Sequence, residues 1–114
     1  MIAPLQIPDN GPDFNVRLAQ AIVAAYGGSY KKAETTNSVY IQLPGAPLEI
    51  RLSDHRKYGS IYPTHIQPAR YPRRSRYGLT LADVIERAVR AAYAGARRFR
   101  DVPRAEAESP KGEA

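Results

Sequence analysis

Two neighbouring segments alternate apolar and polar side chains. In Ser38–Leu43, Val39, Ile41 and Leu43 fall on one side, with Tyr40 and Gln42 on the other. In Leu48–Ser53, Leu48, Ile50 and Leu52 oppose Glu49, Arg51 and Ser53. A period of two marks a half-buried strand. Pro44-Gly45-Ala46-Pro47 separates the two, and Pro and Gly supply the dihedrals of a turn. So short a connection makes the strands antiparallel neighbours. A sheet with one apolar face has to bury it, and the rest of the chain must supply the cover.

Two stretches have the spacing to do so. Asn10-Gly11-Pro12 reads as a helix start, with Pro12 at the first helical position and Asp13 near the positive end. Phe14, Leu18, Ala21, Ile22, Ala25 and Tyr26 then form one apolar stripe, and Gly27-Gly28 stops a helix over about 12–27. The second stretch opens at Gly78-Leu79-Thr80, where Thr80 and Asp83 form a capping-box-like pair. Its apolar face is Leu81, Val84, Ile85, Ala88, Val89, Ala92, Ala96 and Phe99, and it reads as running to about Arg100. Arg87, Arg90, Arg97 and Arg98 would then lie on its opposite face. A more polar strand fits Ser29–Thr35, followed by a turn at Thr36-Asn37. The expected fold is α+β in the order α-β-β-β-α: a three-stranded antiparallel sheet with two helices packed on one face.

The 114 residues suit one domain. The expected division is an extended arm at 1–11, an α+β domain over 12–100, and a disordered tail at 101–114 rich in Glu, Pro, Gly and Ala. There is no cysteine, which excludes disulfides and thiolate metal sites. The opening Met1–Pro8 lacks the basic and apolar regions of a signal peptide, and no apolar run approaches a membrane span. The chain is expected to be soluble and cytoplasmic.

The net charge of +6 is unevenly placed. Residues 1–53 carry four basic and four acidic groups, whereas 54–100 carry eleven Arg or Lys against Asp54, Asp83 and Glu86. That concentration points to a polyanionic partner, nucleic acid first. Within the proline-broken loop 54–77, the cations Arg56, Lys57, Arg70, Arg73, Arg74 and Arg76 interleave with Tyr58, Tyr62, Tyr71 and Tyr77. Arginine and lysine neutralise phosphates, and tyrosine stacks on bases or donates its hydroxyl. Arg56, Lys57, Tyr58, Arg70, Tyr71, Arg73, Arg74, Arg76, Arg90 and Arg97 are the candidate nucleic-acid contacts. The bland reading is a solvated loop with tyrosines packed down as anchors. Ile61, Tyr62 and Ile66 could tack it to the body as a short edge strand.

Ser53-Asp54-His55 has the residue types of a hydrolytic set, but consecutive strand residues point to opposite sides and cannot form a triad among themselves. A structural corner is the main reading, with His55 in a site as the alternative. Asp54, His55 and His65 lack a recognised metal spacing. No catalytic residue, metal or cofactor is expected.

Ser38-Val-Tyr40-Ile followed by Ile50-Arg-Leu-Ser-Asp-His55 resembles a small uncharacterised group of phage and mobile-element proteins that share Ser-x-Tyr-Val and Arg-Ile-Ser-Asp-His. The resemblance covers about residues 28–56 and implies a mobile-element origin. The element order also resembles the double-stranded-RNA-binding fold and its HicA-type toxin relatives. Leu79-Thr80-Leu81-x-x-Val84-Ile85 is similar to their final-helix opening. Their catalytic histidine falls near Asn37-Ser38-Val39, where this chain has none, and the Lys-rich run of the RNA-binding signature is absent. The expected function is a non-enzymatic phage or mobile-element accessory protein that binds DNA or RNA through the Tyr/Arg loop. An inhibitor of a host defence complex, anti-CRISPR-like, is the alternative, and a small RNase toxin using His55 the third. Partners are then nucleic acid or a host nucleoprotein complex, without membrane, and a homodimer is left open.

Overall fold

The computed structural model describes residues 2–54, 62–71 and 79–104. Helix α1 spans Phe14–Tyr26, and strands β1 (Ser29–Lys32), β2 (Val39–Gln42) and β3 (Ile50–Leu52) follow. A two-residue strand β4 (His65–Ile66), a 3-10 turn at Pro68–Arg70, helix α2 (Leu81–Ala94) and a 3-10 turn at Phe99–Asp101 complete the order. The class is α+β, as the periodicities imply.

The strands lie in the order β1-β2-β3-β4. The first three form the antiparallel meander, with Tyr30 opposite Ile41 and Ile41 opposite Ile50. The sheet differs from the expected one at its edge. β4 pairs with β3 in parallel, placing Arg51 beside His65 and Leu52 beside Ile66. Arg51 N–H donates to the Thr64 carbonyl at 2.8 Å and Ser53 N–H to the Ile66 carbonyl at 3.0 Å. A parallel neighbour needs a crossover of about a dozen residues; residues 53–64 supply it, so the sheet is mixed.

Both helices pack on one face, α1 against β1 and β2 and α2 against β3 and β4. Leu18 and Ile22 from α1, Val39, Ile41, Ile50, Leu52 and Ile66 from the strands, and Leu81, Ile85 and Ala88 from α2 form a single core. Burying each large aliphatic side chain stabilises the fold by roughly 1.5–3 kcal/mol before conformational entropy is subtracted. Leu5 also packs on this core. The arm before α1 is tied at both ends: Ile2 N–H donates to the Ala25 carbonyl, and Arg17 Nη1 to the Asp9 carbonyl at 2.7 Å.

Both helix boundaries differ from the expected ones. The N-cap of α1 is Asp13, in the left-handed region at φ 57°, so Pro12 lies outside the helix. Aspartate tolerates that conformation better than most side chains. At the other end, Gly28 has φ 95°, and a Cβ there would collide with the Gln42 carbonyl oxygen. Only glycine lets the chain turn this closely into β1. Helix α2 opens as expected: Thr80 Oγ1 accepts from Asp83 N–H at 3.1 Å, and Asp83 Oδ2 accepts from Thr80 N–H at 2.9 Å. It stops at Ala94, well before Arg100, because Gly95 takes the left-handed conformation at φ 68°. Ala96 N–H then donates to the Ala91 carbonyl at 2.9 Å and Gly95 N–H to Ala92 at 3.4 Å, the two bonds of a Schellman stop. Arg97 and Arg98 are therefore outside the helix.

The sequence after α2 holds to the body through residue 103, where Arg90 Nε donates to the Pro103 carbonyl at 3.3 Å. The remainder of the expected tail, 105–114, lies outside the described residues.

Candidate functional site

Strand alternation that sends Val39, Ile41, Ile50, Leu52 and Ile66 into the core sends their neighbours to the opposite face. Register makes those neighbours a row. Lys31 is opposite Tyr40, Tyr40 is opposite Arg51, and Arg51 is opposite His65, so one line of side chains crosses all four strands. Glu49 has the same parity as Arg51, one pair along β3. This face is cationic, aromatic and hydroxylated where the other is purely aliphatic.

Arg51 is the centre of the row. Its guanidinium lies 5.7 Å from the centroid of the Tyr40 ring, within the range of a cation–π contact. Its Nη2 donates to Ser38 Oγ at 3.4 Å. Ser38 Oγ in turn donates to Ser53 Oγ at 3.0 Å. Ser38 and Ser53 are both buried, as are His65 and Gln67 on the same face. This hydroxyl pair fixes the guanidinium plane. Arg51 Nε is buried and finds no acceptor among the described residues. A buried donor without an acceptor costs about 1–3 kcal/mol, so this group favours a ligand that brings an oxygen.

A cleft of about 340 Å³ opens over this row, lined by Tyr40, Glu49, Arg51, Tyr62, His65 and Arg97 among others. The Gly95 stop positions Arg97 there: by ending α2, it lets the chain turn towards the polar face of the sheet. Tyr62, just before β4, is 44 % exposed at the rim. The cleft combines aromatic rings with two guanidiniums and an imidazole, the chemistry that holds a planar base or a phosphate.

Ser53 and Asp54 form a corner. Asp54 Oδ2 accepts from Asn15 Nδ2 at 3.3 Å and Asn37 Nδ2 at 3.4 Å, and its Oδ1 from Ala69 N–H at 3.4 Å. One carboxylate thus ties α1, the β1–β2 turn and the segment after β4. His55 lies outside the described residues.

So do Arg56, Lys57, Tyr58, Arg73, Arg74 and Arg76. Arg70 closes the 3-10 turn Pro68–Arg70. Tyr71 is half-buried against the core, beside Ile7, Phe14 and Leu81 at a small crevice, in the position of an anchor. Arg90 and Arg97, expected on one helix face, line separate clefts; Arg90 lies with Arg87, Arg100 and Arg104. Residue-by-residue reading missed Lys31, Tyr40, Glu49, Arg51, Tyr62 and His65 as a site. The available signal was the alternation itself, which already put Tyr40 and Arg51 on the polar sides of adjacent strands.

Among the described residues, Tyr26 and Asp83 are perturbed. Burial between the helices raises the Tyr26 phenol, and Glu86 adds to it while Arg90 opposes. The Thr80 N–H and hydroxyl hold Asp83 below the usual carboxylate value. Among the described residues no three potential metal ligands gather, and no helix is long and apolar enough to cross a membrane.

No protein-family model matches the chain, and neither a curated protein nor a solved structure does. Fold alone does not give function, so function has to come from the chemistry of the cleft.

Proposed function

We propose that this protein binds nucleic acid, with the sheet face opposite the helices as the base-contacting surface. The observation that carries this reading is the Lys31–Tyr40–Arg51–His65 row, in which a tyrosine ring and a guanidinium are held together across adjacent strands. Tyr40 and Tyr62 offer stacking surfaces, and Arg51 and Arg97 offer donors for phosphate or base oxygens. Unpaired bases suit this face better than duplex, because a ring can stack only on a base whose own face is free. The basic loop 54–77 flanks β4 in sequence and carries six Arg or Lys, a composition suited to a polyanion. The role is binding rather than catalysis, in keeping with an accessory protein of a phage or mobile element.

Fluorescence anisotropy with single- and double-stranded DNA and RNA tests it. Binding should weaken steeply with salt, by about 0.7 in log affinity per phosphate contact for a single strand and log unit of salt. Tyr40→Ala should cost about 1–3 kcal/mol on single strands without changing that slope. Failure of the parent to bind any nucleic acid at moderate salt would remove the proposal and turn attention to a host protein as partner.

A further inference from the structure

A second cationic cleft lies just beyond the Gly95 stop. Residues 99–104 fold back along α2 and enclose about 390 Å³ with Arg87, Arg90, Arg100 and Arg104, beside Phe99. Among the described residues its lining holds four guanidiniums and no carboxylate. Glu86 reaches Arg90 at 3.8 Å and is itself 64 % exposed, so it offsets this charge weakly.

The cleft is held in place by specific bonds. Arg90 Nε fixes the Pro103 carbonyl at 3.3 Å, pinning the returning chain to the helix. Asp101 N–H donates to the Arg98 carbonyl at 3.0 Å and Val102 N–H to Phe99 at 3.2 Å, closing the 3-10 turn that presents Arg100. Like charges brought together repel one another, and an anion reverses that term. Phosphate, like carboxylate, meets the arginine fork with two parallel hydrogen bonds, and it is the anion that a strand on the sheet face would carry.

The two clefts are close. Arg97 lines the first and Arg100 the second. Three residues apart, their Cα atoms are within about 11 Å of each other even in a fully extended chain. Arg98 is exposed between them. We infer that the arginine cleft is a phosphodiester subsite for the strand whose bases occupy the sheet cleft, an inference that rests on the nucleic-acid reading above. A mononucleotide fills one cleft, whereas a strand engages both and gains from the second contact being intramolecular.

The test uses uridine oligomers of roughly 2 and roughly 12 nucleotides, the shorter too short to seat bases in one cleft and phosphates in the other, the longer within the footprint of a small single-strand-binding domain. Affinity is read by anisotropy across a salt series. For the parent, the longer oligomer should bind at least about tenfold tighter. The double variant Arg100→Ala/Arg104→Ala should lose most of that gain and keep the shorter oligomer within about twofold of the parent. Its salt slope on the longer oligomer should flatten by about 1.4, for two phosphate contacts at about 0.7 each. Tyr40→Ala should weaken both oligomers alike, and thermal unfolding confirms that each variant is folded. Parent-like length dependence and slope in the double variant would overturn the subsite, as would an equal loss on both oligomers. If the parent binds neither oligomer, the sheet-cleft proposal falls and the subsite falls with it.

Discussion

The two faces of this sheet are built from alternate residues of the same short strands, and they differ in almost every physical respect. The face towards the helices carries Val39, Ile41, Ile50, Leu52 and Ile66, all essentially inaccessible to solvent. The face away from them carries Lys31, Tyr40, Arg51 and His65 in register, with Ser38 and Ser53 hydrogen-bonded between β2 and β3. The first face is interchangeable chemistry: any aliphatic side chain of the right volume would serve. The second is particular, because Tyr40, Arg51, Ser38 and Ser53 are oriented against one another. Stability should therefore reside in the first and binding in the second.

The largest effect expected on stability comes from the dry face. Ile50→Ala should cost about 2–4 kcal/mol in urea or thermal unfolding, since a fully buried isoleucine leaves a cavity between both helices. Val84→Ala should cost less, because Val84 is only half-buried at the edge of the core. Equal losses at the two positions would contradict this packing.

On the polar face, Ser38→Ala should cost roughly 1–2 kcal/mol, since it removes the buried bond to Ser53 Oγ and the acceptor of Arg51 Nη2. Adding Ser53→Ala should cost less than the sum, the mark of a coupled pair. Additive losses would mean the hydroxyls act separately.

A smaller effect, confined to pH, lies at the start of α2. The folded pKa of Asp83 is depressed by its bonds to Thr80. Its stabilisation is therefore present above the ordinary carboxylate pKa and is lost as pH falls through the folded value. Asp83→Asn should lower the melting temperature near neutral pH and converge with the parent once the pH falls below the folded value. A gap that persists in acid would assign the effect to something other than this charge.

The smallest stability change should be at Lys31, exposed on the polar face: Lys31→Ala is expected within about 0.5 kcal/mol of the parent. The same change should flatten the salt dependence of nucleic-acid binding by about 0.7. A stability loss without a binding change would reverse the assignment of the two faces.

The dry face was legible in the sequence because burial leaves a period. Val39–Leu43 and Leu48–Leu52 alternate, and Leu81 to Ala92 repeats at helical spacing, so the α+β class and the single-sided packing could be read directly. β4 was legible only as a short edge strand near Ile66, and its parallel pairing was not, because two residues, His65–Ile66, are too short to show a period. The end of α2 was overrun because Ala96 and Phe99 continue its spacing; Ala96 is buried only after the chain has turned at Gly95, and Phe99 is 48 % exposed. The polar row left only a partial trace, the alternation that puts Tyr40 and Arg51 on the polar sides of adjacent strands. Lys31, Tyr40, Arg51 and His65 are separated by nine to fourteen residues along the chain, and only strand register brings them together. The charge-dense loop drew the site assignment because clustering in sequence is visible before folding, whereas clustering in space is not.

Nucleic acid bound on the polar face of the sheet would change the surroundings of that face's backbone amides. Amide chemical-shift perturbation of isotope-labelled protein, titrated with a short single-stranded oligonucleotide, tests that placement most directly. Shifts should concentrate at Lys31, Tyr40, Arg51, His65 and Arg97, while the outer surface of α1 around Gln20 and Ala24 stays still. Shifts centred on α1, with the Tyr40–Arg51 row unmoved at saturation, would contradict it.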